Sequence, residues 1–292
     1  MTDYAALLRE LAVPRLVGTP NHQSVRETLK RELRARGFTV EEHAFRGRPA
    51  RALMRAPTEV RGVNLIATPT AQPPNGPTVW LVAHYDSKGQ PISMAVRLAG
   101  FFALVAGVVT AFFAPLAAAV LLIAAFAILF QNRVTDNSPG AVDNATAVIA
   151  ALMTVDLLKG SSNVGIVFPD AEEFGLVGAR ALARERGELF AGAAVVNLDG
   201  LDDGGRSTAF LHRPGPLGQA IAGALTARRW RWLPVVVDGI VLARAARECV
   251  TILKGDWTTM RIVHTPHDRA ERLTLAGART VAEGLARAIS GA

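Results

Sequence analysis

The sequence predicts an α/β protein with a mostly parallel mixed sheet, helices on both faces of the sheet, and one inserted apolar helical hairpin. Three observations predict this fold. Short apolar runs rich in valine and isoleucine alternate with longer helical segments. Hydrophobic residues make up 50% of the chain, enough for a full core. Residues 98–130 contain no charged side chain. We therefore expect residues 1–292 to form a single domain, interrupted by an insert over residues 94–133.

Before the insert, the pattern predicts one helix and two strands. Residues 24–38 form an amphipathic helix that Gly37 ends. "GVNLIAT" (62–68) and "TVWLVAHYD" (78–86) are typical of buried strands. An arginine-rich loop precedes the first of these strands, and the turn-rich "PTAQPPNGP" separates the two.

After the insert, strands and helices alternate to the end of the chain. The predicted strands are "NVGIVF" (163–168), "AAVVNLD" (193–199), "STAFLH" (207–212), "LPVVVD" (233–238), "CVTILKG" (249–255) and "RIVH" (261–264). The predicted helices are residues 144–160, 175–186, 216–230 and 274–290. This alternation is typical of a sheet covered by helices on both faces.

The apolar insert predicts contact with a lipid bilayer. As one straight helix, residues 98–130 would be about 50 Å long, which exceeds a hydrocarbon core of about 30 Å. Pro115 near the middle divides the run into two short halves, so we expect a transmembrane or re-entrant hairpin. Arg97 and Arg133 flank it, which places both ends and the rest of the chain on the cytoplasmic face of the membrane. The alternative is an apolar lid or oligomer interface in a soluble cytoplasmic protein.

Charge and cysteine content exclude other classes. The formal net charge is +7, but the arginines are dispersed and no nucleic-acid-binding module is evident, so we expect no nucleic-acid partner. A local arginine cluster over residues 46–61 favours a solvated surface over a binding patch. The single cysteine, Cys249, excludes an intrachain disulfide. The N-terminal segment does not have the pattern of a signal peptide.

Metal-binding side chains gather at the predicted strand ends, where sites in such sheets form. They are His84 and Asp86, Glu172 and Glu173, Asp199, and His264, with Asp143 before a helix. Each has an ordinary explanation, such as a helix cap, a turn or a satisfied core histidine. Their joint presence at one edge of the sheet favours a metal site. Imidazoles and carboxylates are ligands that Zn²⁺ accepts.

The residues also suggest roles within such a site. A shared carboxylate would hold two metal ions about 3.5–4 Å apart, the arrangement that activates water. Asp86 lies two residues beyond His84 and can accept the other ring N–H. One of the adjacent glutamates, Glu172 or Glu173, would then be free to accept a proton from the metal-bound water. Local chemistry alone does not choose between these two glutamates, nor between His264 and His267.

The segments "HYD", "SPGAVDN", "PDAEEFGLVGAR", "VVNLDG" and "VHTPHD" occur in this order, and together they resemble the di-zinc aminopeptidase family. This is metallopeptidase family twenty-eight, zinc exopeptidases related to glutamate carboxypeptidase and glutaminyl cyclase. The resemblance covers roughly residues 10–90 and 134–290, and "AEEFGLVGAR" is its most specific part. The family implies a zinc-exopeptidase-like fold with two Zn²⁺ per chain.

Carried over by position, the resemblance assigns each residue a role. Asp143 would bridge both zinc ions, with His84 and Asp199 completing one site and Glu173 and His264 the other. Glu172 would be the general base, and Asp86 would orient His84. The chain departs from the family where "VVVDGIVLAR" has Asp238 followed by glycine in place of an Asp-His pair.

The expected function is a membrane-attached, zinc-dependent aminopeptidase that hydrolyses peptides or small aminoacyl substrates. Two alternatives are a related zinc acyl chemistry, either glutaminyl cyclisation or amidohydrolysis, and a catalytically silent membrane scaffold. The complete ligand set favours an enzyme over the scaffold. Because His84 and Asp143 flank the insert, sharing a metal requires both ends of the insert to lie on one face of the membrane.

Overall fold

A computed structural model describes residues 2–50, 56–71, 76–159, 163–231 and 236–291. Eight strands form one sheet in the order β1-β2-β4-β3-β5-β8-β6-β7. The strands are β1 (Phe38–Gly47), β2 (Val60–Pro69), β3 (Val79–Val82), β4 (Val164–Phe168), β5 (Ala194–Leu201), β6 (Arg206–Arg213), β7 (Arg228–Trp230) and β8 (Glu248–Gly255). The centre, β4-β3-β5-β8, is parallel, whereas β1, β2 and β6 pair antiparallel with their inner neighbours.

Helices cover both faces of the sheet, which confirms the predicted mixed α/β fold. The helices are α1 (Tyr4–Leu11), α2 (Pro20–Ala35), α3 (Met94–Thr110), α4 (Pro115–Leu129), α5 (Thr146–Leu157), α6 (Val177–Glu185), α7 (Pro216–Ala224), α8 (Asp238–Leu242), α9 (Trp257–Ile262) and α10 (Ala276–Ser290).

Successive residues of β3 point to opposite faces, as the pleat of a strand requires. Leu81 joins the core beneath α1, α2, α5, α7 and α10, and Trp80 joins the core beneath α6 and α8. The buried centre of the sheet therefore presents its carboxyl ends between two layers of helices.

One strand was missed, and three expectations about elements were wrong. β1 was not predicted, and only its first and eighth residues, Phe38 and Phe45, are buried. The end of the predicted helix over residues 216–230 is instead the exposed edge strand β7. Of "RIVH", Arg261 and Ile262 belong to α9, which begins with a capping box of Asp256 and Thr259, and His264 follows that helix. Of the predicted strand "LPVVVD", residues 233–235 lie outside the described residues, and Asp238 begins α8.

The insert forms a helical hairpin that divides at Pro115. Pro115 is the first residue of α4, and α3 packs along α4. Most of the hairpin surface is apolar and exposed, and the residues near its tip, Phe112, Phe113 and Leu116, are 81%, 84% and 83% exposed. At its base, Gly89 and Thr135 exchange two backbone hydrogen bonds of 2.8 and 3.0 Å. The two ends of the insert therefore meet.

The expectation of a transmembrane span is not supported. Within the described part of the chain, every helix is too short or too polar to cross a bilayer.

Candidate metal centre

The predicted ligands converge at the carboxyl ends of the central strands. His84 and Asp86 follow β3, the turn with Glu172 and Glu173 follows β4, and Asp199 lies near the end of β5. Because β3 pairs in parallel with both β4 and β5, the carboxyl ends of these three strands lie at the same edge of the sheet. Two ligands come from elsewhere. Asp143 lies in the loop before α5, and His264 follows α9 with a φ of 64°, a backbone conformation that non-glycine residues rarely adopt.

Two groups of side chains share one carboxylate. The first, the His84 half-site, contains His84, Asp143 and Asp199, and the second, the His264 half-site, contains Asp143, Glu173 and His264. Within each group the potential ligand atoms lie within 4.8 Å of one another. The structure therefore brings together all five predicted ligands, and Asp143 is the residue common to both groups.

The distances match a shared bridging position for Asp143. Its Oδ1 atom lies 3.1 Å from His84 Nε2, and its Oδ2 atom lies 3.0 Å from His264 Nε2. His264 Nε2 is also 2.9 Å from Glu173 Oε1, and His84 Nε2 is 3.9 Å from Asp199 Oδ1. Each carboxylate oxygen of Asp143 thus faces a different imidazole.

Asp86 is buried and connects His84 with the paired glutamates. His84 Nδ1 lies 3.2 Å from the backbone carbonyl of Asp86 and 3.4 Å from its Oδ1. The backbone N–H groups of Glu172 and Glu173 donate to the two carboxylate oxygens of Asp86, at 3.1 and 3.2 Å. Asp86 therefore orients one ligand ring and, through the backbone, the turn that carries two further site residues.

Three residues without a predicted role hold the ligand loops in place. Asp268 accepts hydrogen bonds from the backbone N–H groups of Val142 and Asp143, at 2.7 and 3.1 Å. Asn144 bridges to the β5 end by donating to the Leu198 carbonyl and accepting from Gly200 N–H.

Buried Arg15 joins the β3 end to the Asp143 loop. It donates to the carbonyls of Tyr85, at 2.6 Å, and Gly140, at 3.0 Å, and it also donates to Pro139. The only sequence sign of this role was the place of Arg15 in the opening segment that resembles the family.

The paired glutamates differ in their surroundings. Burial raises the pKa of Glu172 well above its usual value, and the negative charges of Glu173 and Asp199 add to this effect against the opposing charge of His84. Burial alone would also raise the pKa of Glu173, but the positive charges of His264 and Lys88 outweigh it and lower that pKa to about 2. Glu172 therefore holds a proton more readily, while Glu173 stays a carboxylate.

The remaining ligands form a dense charge network. Burial alone would lower the pKa of His84, but the neighbouring carboxylates of Asp143, Asp199 and Asp86 raise it well above its usual value. Burial would raise the pKa of Asp143, yet His264 and His84 hold it well below its usual value. Asp143 and the two imidazoles thus favour one another's charged forms, whereas burial raises the pKa of Asp199.

Two buried carboxylate oxygens in the centre indicate whether its residues could hold a cation. Asp143 Oδ1 and Glu173 Oε1 are buried and accept no hydrogen bond of good geometry. Their nearest cationic partners are the imidazoles, with His84 Nε2 3.1 Å from Asp143 Oδ1 and His264 Nε2 2.9 Å from Glu173 Oε1. A buried carboxylate oxygen without a well-aligned donor is costly, and both oxygens belong to potential ligands, Asp143 being shared by the two half-sites. With two imidazoles and three carboxylates as donors, the residues fit zinc.

His267 and Asp238, which the sequence analysis also singled out, lie outside the two half-sites. His267 belongs to neither half-site. Asp238 is buried at the start of α8, with no hydrogen-bond partner for either carboxylate oxygen, and burial raises its pKa to about 8. Its charge acts on both His84 and Glu172, so this residue lies near the centre.

Solved structures share this fold at low sequence identity. Glutaminyl cyclase from Porphyromonas gingivalis is 19% identical, with a TM-score of 0.67 over 99% of this chain and 96% of that chain. BSAP, a zinc aminopeptidase from Bacillus subtilis, is 12% identical, with a TM-score of 0.67 over 98% and 93%. The aminopeptidase from Aneurinibacillus sp. strain AM-1 is 12% identical, with a TM-score of 0.64 over 99% and 92%.

No curated protein sequence matches the chain significantly. The model of peptidase family M28 matches residues 64–289, which cover most of the chain and all five predicted ligands. The resemblance drawn from the sequence motifs is thereby confirmed at the level of the family. The chain belongs to peptidase family M28.

Proposed function

We propose that this protein is a zinc-dependent aminopeptidase with two metal ions per chain and Glu172 as the general base. The observation that carries the proposal is the pair of half-sites that share Asp143, with Glu172 beside them. Membership of a peptidase family supports a hydrolase. When bound, zinc ions polarise a carbonyl group and lower the pKa of water.

The chain's own residues would supply binding, orientation and proton transfer. Asp143, His84 and Asp199 would hold one ion, and Asp143, Glu173 and His264 the other. Glu172 would accept a proton from the attacking water and return it to the leaving amine, a task suited to a carboxylate with a raised pKa. Asp86 would keep His84 and the Glu172 backbone in place.

Metal content tests the shared ligand. The wild-type chain is expected to bind about two zinc ions, and Asp143→Ala is expected to lose both because each half-site depends on that carboxylate. Elemental analysis after dialysis against buffered zinc measures this stoichiometry. A variant that retains both ions would contradict a bridging role for Asp143.

Glu172→Gln tests the base. The amide cannot take up the proton, so kcat should fall about 10²- to 10⁴-fold while the metal content stays the same. Hydrolysis of aminoacyl amides with a free amino group measures kcat. The matched control is Glu185→Gln, an exposed glutamate on α6. A Glu172→Gln enzyme with nearly full activity would refute the assignment.

Glutaminyl cyclisation is the second candidate. It is favoured by the shared fold with glutaminyl cyclases, two of which are 19–20% identical to this chain. The same base could move a proton from the attacking α-amine to the leaving ammonia. Incubation with glutaminyl peptides separates the two activities, because cyclisation releases ammonia and leaves a blocked N-terminus, whereas hydrolysis releases free glutamine.

We further propose that the α3–α4 hairpin enters a lipid bilayer from one side and returns to the same side. With 17 and 15 residues, the helices extend about 25 and 22 Å, less than a hydrocarbon core of about 30 Å. Adjacent apolar residues such as Phe101 and Phe102 are both exposed, so the apolar surface runs around much of each helix. A bilayer covers such a surface on all sides, whereas a second protein copy covers one face.

Vesicle flotation tests the attachment. The wild-type chain is expected to float with phosphatidylcholine–phosphatidylglycerol vesicles, and the double variant Phe112→Asp, Phe113→Asp is expected to bind at least 10-fold more weakly, since each buried phenylalanine contributes roughly 1.5–3 kcal/mol. The control is the double variant Leu157→Asp, Val236→Asp, which charges two exposed residues outside the hairpin. A wild-type chain that stays with the soluble fraction and dimerises through the hairpin would overturn the proposal.

A further inference from the structure

The two histidines of the centre have opposite polar surroundings. Both direct Nε2 toward the shared carboxylate of Asp143. The Nδ1 atom of His84 faces acceptors, the carbonyl and carboxylate of Asp86 at 3.2 and 3.4 Å. The Nδ1 atom of His264 instead faces a donor, because a guanidinium N–H of Arg97 contacts it. The two half-sites therefore differ in the group that contacts the Nδ1 atom of their histidine.

This difference matters because a neutral imidazole carries one N–H. A nitrogen that binds a metal needs its lone pair, so the other nitrogen carries the hydrogen and needs an acceptor. His84 has that acceptor in Asp86. If Nε2 of His264 bound a metal, the N–H at Nδ1 would point at an N–H of Arg97, and two donors would face each other.

The positive charges near the His264 half-site also disfavour a metal ion there. Buried Lys88 lies 3.0 Å from Glu173 Oε2 and also donates to the Glu173 carbonyl, at 3.1 Å. This contact engages Oε2, so Glu173 Oε1, which lies 2.9 Å from His264 Nε2, is the oxygen that would bind a metal. Together, Lys88 and Arg97 place two positive charges beside the ligands of the His264 half-site, where they repel a divalent ion.

Arg97 belongs to the insert and not to the elements of the sheet. It lies in the first turn of α3, at the base of the hairpin, and its other contacts include the sulfur of Met94. Its Nε atom is buried without a hydrogen-bond partner. The contact with His264 is thus its link to the centre.

We propose that Arg97 is a positioning residue that makes the two half-sites unequal: the His84 half-site fills first, and a second ion binds weakly because Arg97 must leave His264. This inference rests on the proposed di-metal function. It also makes the base of the hairpin a determinant of metal occupancy. Removing the donor at position 97 should tighten the second ion without changing the first.

Zinc titration of the metal-free full chain, with a competing chelator and calorimetric detection, tests the proposal. The wild-type chain should show one tight ion and a second at least 10-fold weaker. Arg97→Gln offers an amide oxygen to Nδ1 and should tighten the second ion by about 10- to 100-fold, the size of effect typical of groups behind a ligand. Arg97→Lys keeps a charged donor and should leave the second ion weak.

Two further variants and a control complete the design. Arg133→Met removes the same charge from the other end of the insert, where Arg133 stacks on Phe130, and should leave both affinities unchanged. His264→Ala should retain the tight ion, whereas His84→Ala should lose it. Circular dichroism verifies that each variant is folded, and the Gln and Lys variants at position 97 serve as mutual controls.

The outcomes separate this inference from the proposed function. Two equally tight ions in the wild type, or equal affinities in the Gln and Lys variants, would overturn the inference and leave the di-metal function standing. A tight ion lost in His264→Ala and kept in His84→Ala would do the same. A chain that binds no zinc in any variant would overturn both.

Discussion

At the scale of single residues, Asp86 makes the most varied contacts in the centre. It receives hydrogen bonds from the backbone N–H groups of Glu172 and Glu173 and faces Nδ1 of His84. All of these partners are donors, so the side chain at this position needs two oxygen atoms that both accept hydrogen bonds. An ionised carboxylate meets that requirement, and an amide does not.

We expect Asp86→Asn to weaken zinc binding about 10- to 100-fold, because its NH₂ group would face an N–H donor. Competition with a metal chelator measures the affinity. The control is Asp3→Asn, since Asp3 caps α1 and asparagine caps a helix equally well. An Asp86→Asn chain with zinc affinity within about threefold of the wild type would show that the carboxylate is dispensable.

The five candidate ligands could be selected from the sequence because histidine and carboxylate side chains are conspicuous after apolar runs. Three of them lie at strand ends, whereas Asp143 lies in a loop and His264 follows a helix. The choice of Glu172 over Glu173 as the base required the family resemblance. The sequence shows two adjacent carboxylates but not the charges and burial that distinguish them. Asp268 and Arg15 could not be assigned in this way. They act on backbone N–H and C=O groups of distant loops, and such contacts leave no pattern in a sequence.

At the scale of secondary-structure elements, two glycines let the hairpin helices approach closely. A Cβ atom at Gly100 would lie 2.6 Å from Ile128 Cγ2, and one at Gly107 would lie 2.9 Å from Leu122. Both glycines are on the buried side of α3, seven positions apart, so they lie on the same face of the helix. The hairpin is therefore a packed unit and not two independent helices.

We expect Gly107→Val to separate the helices and to destabilise their packing by roughly 1–3 kcal/mol, as overpacking does in cores. Hydrogen exchange of the α3 and α4 amides, followed by mass spectrometry, should become faster. Ala106→Val is the control, because Ala106 is the exposed neighbour and receives the same β-branched side chain. Equal exchange in the two variants would rule out the proposed helix contact.

The mispredicted elements have identifiable physical causes. In β1, both faces are largely exposed, so the apolar alternation that indicates a strand is weak. In α9, the apolar residues suggested a strand, but Asp256 three residues before Thr259 is a helix-start pattern that was present in the sequence. Edge strands and short helices therefore need capping and turn residues as evidence, since periodicity alone does not identify them.

At the scale of the whole molecule, the centre gathers more negative charge than the metal-free fold accommodates. Burial raises the pKa of Asp238 to about 8, and it also raises the pKa values of Glu172 and Asp199. The folded state thus binds protons on these groups more tightly than the unfolded state. Without metal, the contribution of Asp238 to stability falls as pH rises from about 4, the usual pKa of a carboxyl group, to about 8, and the contributions of Glu172 and Asp199 fall in the same direction.

We expect the chelated protein to melt a few degrees lower at pH 8 than at pH 5, and zinc to reduce that difference. Asp238→Asn should flatten the pH dependence, because it removes the carboxyl group with the pKa near 8. Differential scanning calorimetry measures both effects, with Glu283→Gln on the surface of α10 as control. A metal-free chain that becomes more stable toward pH 8 would contradict this account.

The closed base of the hairpin has a consequence for how this chain could change over generations. Gly89 and Thr135 are already paired, so a tight turn is long enough to connect them. A gene segment encoding the hairpin could thus be gained or lost in one event, while the strands on either side keep their register. Such an exchange would leave the positions of His84 and Asp143 intact and would remove Arg97 from His264, so one genetic step would alter both the surface of the protein and the properties of its centre.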